Sequence, residues 1–151
     1  MLRAASDNLG DLMGPMFKLL ATPYSAKDRE RIGNRNIKLL TCQEDRSRFL
    51  LTINIFSNNS SSTYNGEIFL NTKDIITTNT PVEVRCNCAS FKYQFETLLH
   101  LNKLLYGLPL SNEIPKKNQT IFACKHIQRA LNYILKIGTI ENVRNRIGNK
   151  G

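Results

Sequence analysis

Two short cysteine-containing motifs limit what this chain can fold into. Cys86 and Cys88 form a C-x-C motif, and Cys124 and His126 form a C-x-H motif after thirty-five intervening residues. The first motif ends a strand-like segment, in which residues two apart point to the same face, so both sulfurs can be directed to one point. The second motif begins a helix-like segment, where a thiolate and a first-turn imidazole can converge. The motifs therefore predict that a strand end and a helix start lie together.

The four side chains of these motifs have the chemistry of a metal site. Three thiolates and one imidazole make a Cys3His set, which is a standard tetrahedral zinc site. We therefore predict Cys86, Cys88, Cys124 and His126 as the metal ligands and Zn²⁺ as a structural ion. An iron–sulfur cluster is a lesser alternative, because the usual C-x2-C spacings are missing. In the remaining alternative, the cysteines are small buried hydrophobic residues and the histidine is a surface group.

Other residues near the motifs have weaker signals. Cys42 ends a strand-like segment and could replace a ligand, but a core position is the favoured interpretation. His100 lies in an apolar helix-like segment and is not expected to bind metal. Lys125 and Arg85 adjoin the cysteines and are expected to offset the negative charge that three thiolates leave around the ion, and the positive end of the helix favours thiolates in the same way.

Composition is that of an ordinary folded domain. The chain has 151 residues, of which 41 % are hydrophobic and 22 % charged, so one ordered domain is expected. No segment approaches the ~18 consecutive apolar residues of a membrane-spanning helix. Asp7, Asp11 and Pro15 interrupt the apolar residues near the start, which argues against an export signal. The cysteines are then expected to be free or bound to metal.

The pattern along the chain predicts an α+β fold, in which a small antiparallel sheet is followed by two helices clipped by the zinc site. Apolar alternation and β-branched residues predict strands at 37–42, 48–56, 67–70 and 80–86. Helical spacing predicts helices over about 90–105 and 125–138, the first capped by Ser90 and the second ended by Gly138. We expect three parts: a helical docking arm (1–36), the zinc-binding domain (37–138) and a basic C-terminal tail (139–151).

The positive charge is concentrated in the last third of the chain. The net charge is +9, and residues 101–151 hold nine basic and two acidic side chains. Such an excess favours contact with nucleic acid or with an acidic protein surface, although a solvated basic face is equally compatible with it. No run of Arg and Lys with interleaved aromatic residues occurs in this third of the sequence.

The residues around the motifs resemble a known family. A strand at 82–85, the sequence Cys124-Lys125-His126-Ile127 and an amphipathic helix after it are similar to the SWIM-type zinc finger. Ser-Phe-Lys-Tyr at 90–93 resembles the segment after the first cysteine pair in small virion proteins of tailed bacteriophages. The resemblance implies the same four zinc ligands. The spacer is longer than is usual for the family, which implies a helix inserted between the motifs.

Catalysis is not expected, because four protein ligands leave no coordination position for a water molecule. The expected function is that of a structural or assembly protein in a tailed-phage virion, in the tail, baseplate or neck. It would assemble in the host cytoplasm within a multi-subunit particle, docking on other virion proteins through the N-terminal arm and the basic tail. A SWIM-type, zinc-dependent nucleic-acid-binding module is the alternative, and no membrane contact is expected.

Overall fold

A computed structural model describes residues 13–20, 36–56, 63–88, 91, 95–110 and 123–148. Within these ranges the chain forms a four-stranded antiparallel sheet and four helices, which confirms the α+β class. The elements in chain order are α1 (Phe17–Leu20), β1 (Asn36–Asp45), β2 (Arg48–Phe56), β3 (Thr63–Leu70), β4 (Val82–Cys86), α2 (Glu96–Leu101), α3 (Lys125–Ile137) and α4 (Ile140–Gly148).

The sheet has the strand order β1-β2-β3-β4, so each strand pairs with its neighbour in sequence. A tight turn joins β1 and β2 at Arg46 and Ser47, which both have positive φ, as a type I′ hairpin turn requires. The bounds of β2 match the predicted 48–56. Its alternate side chains are buried, and these are Phe49, Leu51, Ile53 and Ile55. The buried face of the sheet therefore follows directly from the apolar alternation in the sequence.

Helix α3 packs on this buried face of the sheet with a single apolar stripe. The buried side chains of the stripe are Ile127, Ala130, Leu131, Ile134 and Ile137. The helix ends as predicted at Gly138, whose φ of 86° lies in the left-handed region that glycine tolerates. The backbone N–H of Gly138 donates to the carbonyl of Ile134, which closes the last turn.

Gly66 lets α3 approach the sheet closely beside the two cysteine motifs. A Cβ atom at this position would lie 3.1 Å from Cδ1 of Ile55 and 3.3 Å from Cδ1 of Ile127. We expect Gly66→Val to lower the free energy of unfolding by about 1–3 kcal/mol, because the larger side chain overpacks this contact. Urea unfolding measures the change. Gly148→Ala is the control, since no heavy atom lies within 4 Å of its added Cβ, and an equal loss there would contradict the packing explanation.

The described parts of both chain ends belong to the core, which differs from the expected arm and tail. Met16 and Leu19 are fully buried near the N-terminal end, and Val82 N–H donates to the carbonyl of Gly14 at 2.8 Å. In the expected tail, α4 packs against β1 with Ile140 and Val143 buried. The apolar residues of α4 recur at helical spacing among polar and basic ones, so composition alone suggested a tail. Residues 1–12, 21–35 and 149–151 lie outside the described part.

Part of the segment between the two motifs, around Leu105, runs parallel to β4 along its outer edge. Val84 N–H donates to the carbonyl of Leu104 at 2.8 Å, and Tyr106 N–H donates to the carbonyl of Val84 at 3.0 Å. The inserted helix is present as α2, although it ends earlier than predicted, where Lys103 adopts a positive φ. Ser90, its predicted cap, lies outside the described residues. Among the described helices, none has the length and apolar content needed to cross a bilayer.

Candidate metal centre

The structure brings the four predicted ligands to one place. Cys86 is the last residue of β4 and Cys88 lies two residues beyond it, while Cys124 is the N-cap of α3 and His126 lies in its first turn. The three sulfurs and a ring nitrogen of the histidine all lie within 4.8 Å of one another. A group with this composition and spacing could hold a metal ion. The predicted convergence of a strand end and a helix start is therefore seen.

Backbone and side-chain hydrogen bonds fix the turn that carries the first two sulfurs. Asn87, the middle residue of the C-x-C motif, accepts a hydrogen bond at Oδ1 from Asn65 N–H at 2.8 Å. Its own backbone N–H donates to the carbonyl of Asn65 at 3.2 Å. The Phe91 N–H donates to Sγ of Cys88 at 3.3 Å, which orients that sulfur. Asn87 was not among the expected site residues, although its place between two cysteines is a usable signal.

The histidine is held by packing and by the start of α3. The ring of Tyr64 lies against the ring of His126, with centroids 4.1 Å apart and an interplanar angle of 34°. Nδ1 of His126 is buried and has no hydrogen-bond partner in the described part of the chain. A buried polar atom without a partner is rare in folded proteins, because leaving it unpaired is costly. An imidazole that serves as a metal ligand would account for this burial.

The three cysteines are almost completely removed from solvent. Cys86 and Cys88 are each 4 % exposed, and Cys124 is 1 % exposed. Hydrogen bonds from Cys124 and then Cys86 hold the pKa of Cys88 far below its usual range. Hydrogen bonding to Cys124 lowers the pKa of Cys86, but hydrogen bonding to Cys88 and burial outweigh this effect and raise it to about 12.

Burial is also the main cause of a raised pKa at Cys124, followed by hydrogen bonding to Cys86 and Cys88. The cluster thus resembles one thiolate that accepts hydrogen bonds from two thiols. A divalent cation has the charge to replace the two remaining protons and to keep all three sulfurs as thiolates. The chemistry of the donor set therefore fits a metal ion.

Two of the other candidate residues lie outside this cluster. Cys42 is half-buried on β1, where burial raises its pKa while the nearby Arg144 partly opposes the shift. It is thus a partly buried residue beside α4 and does not belong to the group of four donors. His100 is exposed near the end of α2 and is not among the four donors either.

Arg85 has a different role from the one expected. Its Nη1 donates to Oε2 of Glu96 at 2.8 Å, and its Nε donates to the carbonyl of Tyr106 at 2.8 Å. Its Nη2 also donates to the carbonyl of Leu108. The guanidinium therefore binds the segment that follows β4, and a carboxylate neutralises its charge. The expectation that Arg85 offsets the thiolate charge is wrong, because the side chain is committed to this other network.

Comparison of the chain with models of protein families, with curated proteins and with solved structures finds no match. No family match therefore supports the resemblance to the SWIM-type zinc finger, which depends only on the two motifs, the strand before the first and the amphipathic helix after the second.

Proposed function

We propose that Cys86, Cys88, Cys124 and His126 bind one Zn²⁺ ion that stabilises the fold. The supporting observation is that three buried sulfurs and an imidazole lie within 4.8 Å of one another at the junction of β4 and α3. Zn²⁺ prefers such sulfur-rich tetrahedral sites. An ion bound here would link two elements that are far apart in the sequence.

A structural role follows from the number of protein donors. Structural zinc sites have four protein ligands, whereas catalytic sites keep one position open for water or substrate. The present group supplies four donors, so Lewis-acid catalysis at the ion is disfavoured. We therefore infer that the protein is non-enzymatic and that its zinc site serves the stability of a module with a role in assembly.

Exposed apolar side chains support a role in assembly. Among the described residues, six large hydrophobic side chains are exposed, and these are Phe17, Leu40, Ile75, Leu101, Leu108 and Leu110. Three of them fall in the short stretch 101–110, with Leu110 being 77 % exposed. Singly exposed apolar residues are ordinary, whereas a cluster such as the one in this stretch is typical of surfaces that contact other proteins. Together with the motif resemblance, this supports the proposal of a structural protein in a tailed-phage virion.

Two measurements test the proposal. Elemental analysis of the purified full chain is expected to find about one equivalent of zinc, as a Cys3His site requires. Finding iron instead, together with visible charge-transfer absorption, would identify the site as an iron–sulfur cluster and contradict the zinc assignment. Mass spectrometry of gradient-purified particles of the encoding phage is expected to detect the chain. Its presence in infected cells but absence from the particles would contradict the virion assignment.

A further inference from the structure

Helix α3 carries a row of positive charges on one side. Lys125, Arg129 and Lys136 are separated by four and seven residues, so they recur on the same side of the helix. The sequence of α3 contains no Asp or Glu. At 1.5 Å of rise per residue, the row is about 16 Å long. The helix thus carries an extended row of basic side chains and contributes no acidic side chain of its own.

Helix α4 adds a fourth positive charge beside the row, and Tyr133 holds it there. Arg146 donates from Nη1 to the hydroxyl of Tyr133 at 3.3 Å. The guanidinium carbons of Arg146 and Arg129 lie 5.7 Å and 5.9 Å from the centroid of the Tyr133 ring. Cation–π attraction to one ring therefore gathers two like charges from separate helices. The fold therefore places Tyr133 between Arg129 and Arg146, although no run of basic residues with interleaved aromatic residues occurs in this third of the sequence.

The composition of α3 and α4 distinguishes two kinds of polyanion. An interface with an acidic protein is expected to include an apolar centre. None of the exposed large hydrophobic side chains of the described part of the chain lies on α3 or α4. Interfaces with nucleic acid are more polar and much more positively charged, and their affinity comes largely from phosphate contacts. The row on α3 has the polar, positively charged character of a nucleic-acid interface.

We propose that this surface binds the phosphate backbone of a nucleic acid. Its phosphate-binding residues are Lys125, Arg129, Lys136 and Arg146, and Tyr133 is a positioning residue that orients the two guanidinium groups. We call these five residues the α3 basic face. This inference goes beyond the assembly role and does not depend on it, because it requires neither a virion nor a protein partner.

The α3 basic face begins at the metal centre. Lys125 lies between Cys124 and His126, so the row starts in the same helical turn that supplies half of the donor set. The ion would fix the start of α3 and with it the position of the row. Binding experiments consequently use the zinc-loaded full chain, and the zinc content of every variant is measured beside its affinity.

The experiment compares two double variants that lose the same charge. Arg129→Gln with Arg146→Gln removes two cations from the α3 basic face. Arg144→Gln with Lys38→Gln is the control, because Arg144 packs over Phe49 on the side of α4 that meets β1, and Lys38 is exposed on β1. The probe is a labelled oligothymidylate, and fluorescence anisotropy follows its binding over a series of salt concentrations.

The wild-type protein is expected to bind with an affinity that falls steeply with salt. Removing two phosphate contacts is expected to make the slope of log K against log salt shallower by about 1.4 for a single strand, and to weaken binding about tenfold or more at low salt. The control pair is expected to keep the wild-type slope. Equal changes in the two pairs would show that only net charge matters and would overturn the proposal.

Substitutions of Tyr133 test the positioning role. Tyr133→Phe keeps the ring beside both guanidinium groups and is expected to retain most of the affinity, whereas Tyr133→Leu is expected to lose it several-fold at unchanged zinc content. Equal affinity of the Leu variant and the wild type would refute the positioning role. If the wild type bound polyglutamate but no oligonucleotide, the face would belong to an acidic protein partner and the nucleic-acid proposal would fail.

Discussion

Cys124→Ser is expected to abolish zinc binding and, with it, the cooperative unfolding of the domain. The substitution replaces the sulfur of Cys124, which is 1 % exposed, by a hydroxyl, which is a poor zinc ligand, and leaves three donors in a group of four. Structural zinc contributes about 10–16 kcal/mol of apparent binding free energy in small zinc domains. The net stability of a typical domain is only about 5–15 kcal/mol, so losing the ion removes most or all of it.

Elemental analysis and urea unfolding followed by circular dichroism measure this effect. Cys42→Ser is the matched control, since Cys42 is half-buried on β1 and lies outside the group of four donors. We expect it to keep a full equivalent of zinc and to change the unfolding midpoint only slightly. Chelation of zinc from the wild-type protein is expected to reproduce the Cys124→Ser result. A Cys124→Ser protein with zinc bound and a wild-type midpoint would contradict the proposed ligand set.

Glu96→Ala is expected to destabilise the zinc-loaded protein by about 3–5 kcal/mol, the usual cost of removing one partner of a buried ion pair. Glu96 is 1 % exposed and accepts a hydrogen bond from Nη1 of Arg85 at 2.8 Å. Its other oxygen accepts from the backbone N–H of Leu110. The substitution leaves the guanidinium charge of Arg85 largely buried without its carboxylate, and it releases the segment that runs beside β4.

A double-mutant cycle separates this ion pair from simple loss of packing. Arg85→Met combined with Glu96→Leu is expected to be less destabilising than the sum of the two single changes, because neither buried charge is then left alone. Glu44→Ala is the control, since Glu44 and Arg144 form a pair at 3.7 Å whose side chains are about half exposed. It is expected to change stability by about 1 kcal/mol or less. Strict additivity in the cycle would contradict coupling between Arg85 and Glu96.

Features with a local physical cause could be predicted from the sequence. The strand β2 was predicted with its correct bounds because a half-buried strand requires apolar residues at every second position, and residues 51–55 have that alternation. The end of α3 at Gly138 was predictable because the left-handed cap favours glycine. The four candidate donors were recognisable because metal-ligand chemistry requires particular residue types at short spacings, and such spacings are visible as motifs in the sequence.

Features that depend on distant partners could not be predicted in the same way. The burial of Met16 and the packing of α4 depend on which face of the sheet each segment meets, and no local pattern contains that information. Arg85 adjoins a cysteine in sequence, yet its carboxylate partner is eleven residues further along the chain. The meeting of Arg146 with Tyr133 requires two helices to be placed side by side.

The long separation of the two cysteine motifs determines when each candidate donor becomes available during biosynthesis. A ribosome adding about 5–20 residues per second reaches Cys124 only some seconds after it has passed Cys88. Strands β1 to β4 consist entirely of residues that precede Cys124, so the sheet can form on the nascent chain. At that stage Cys86 and Cys88 are present, but Cys124 and His126 have not yet been synthesised. Capture of the proposed ion would consequently be a late event, and before it the first two thiols would be most open to oxidation.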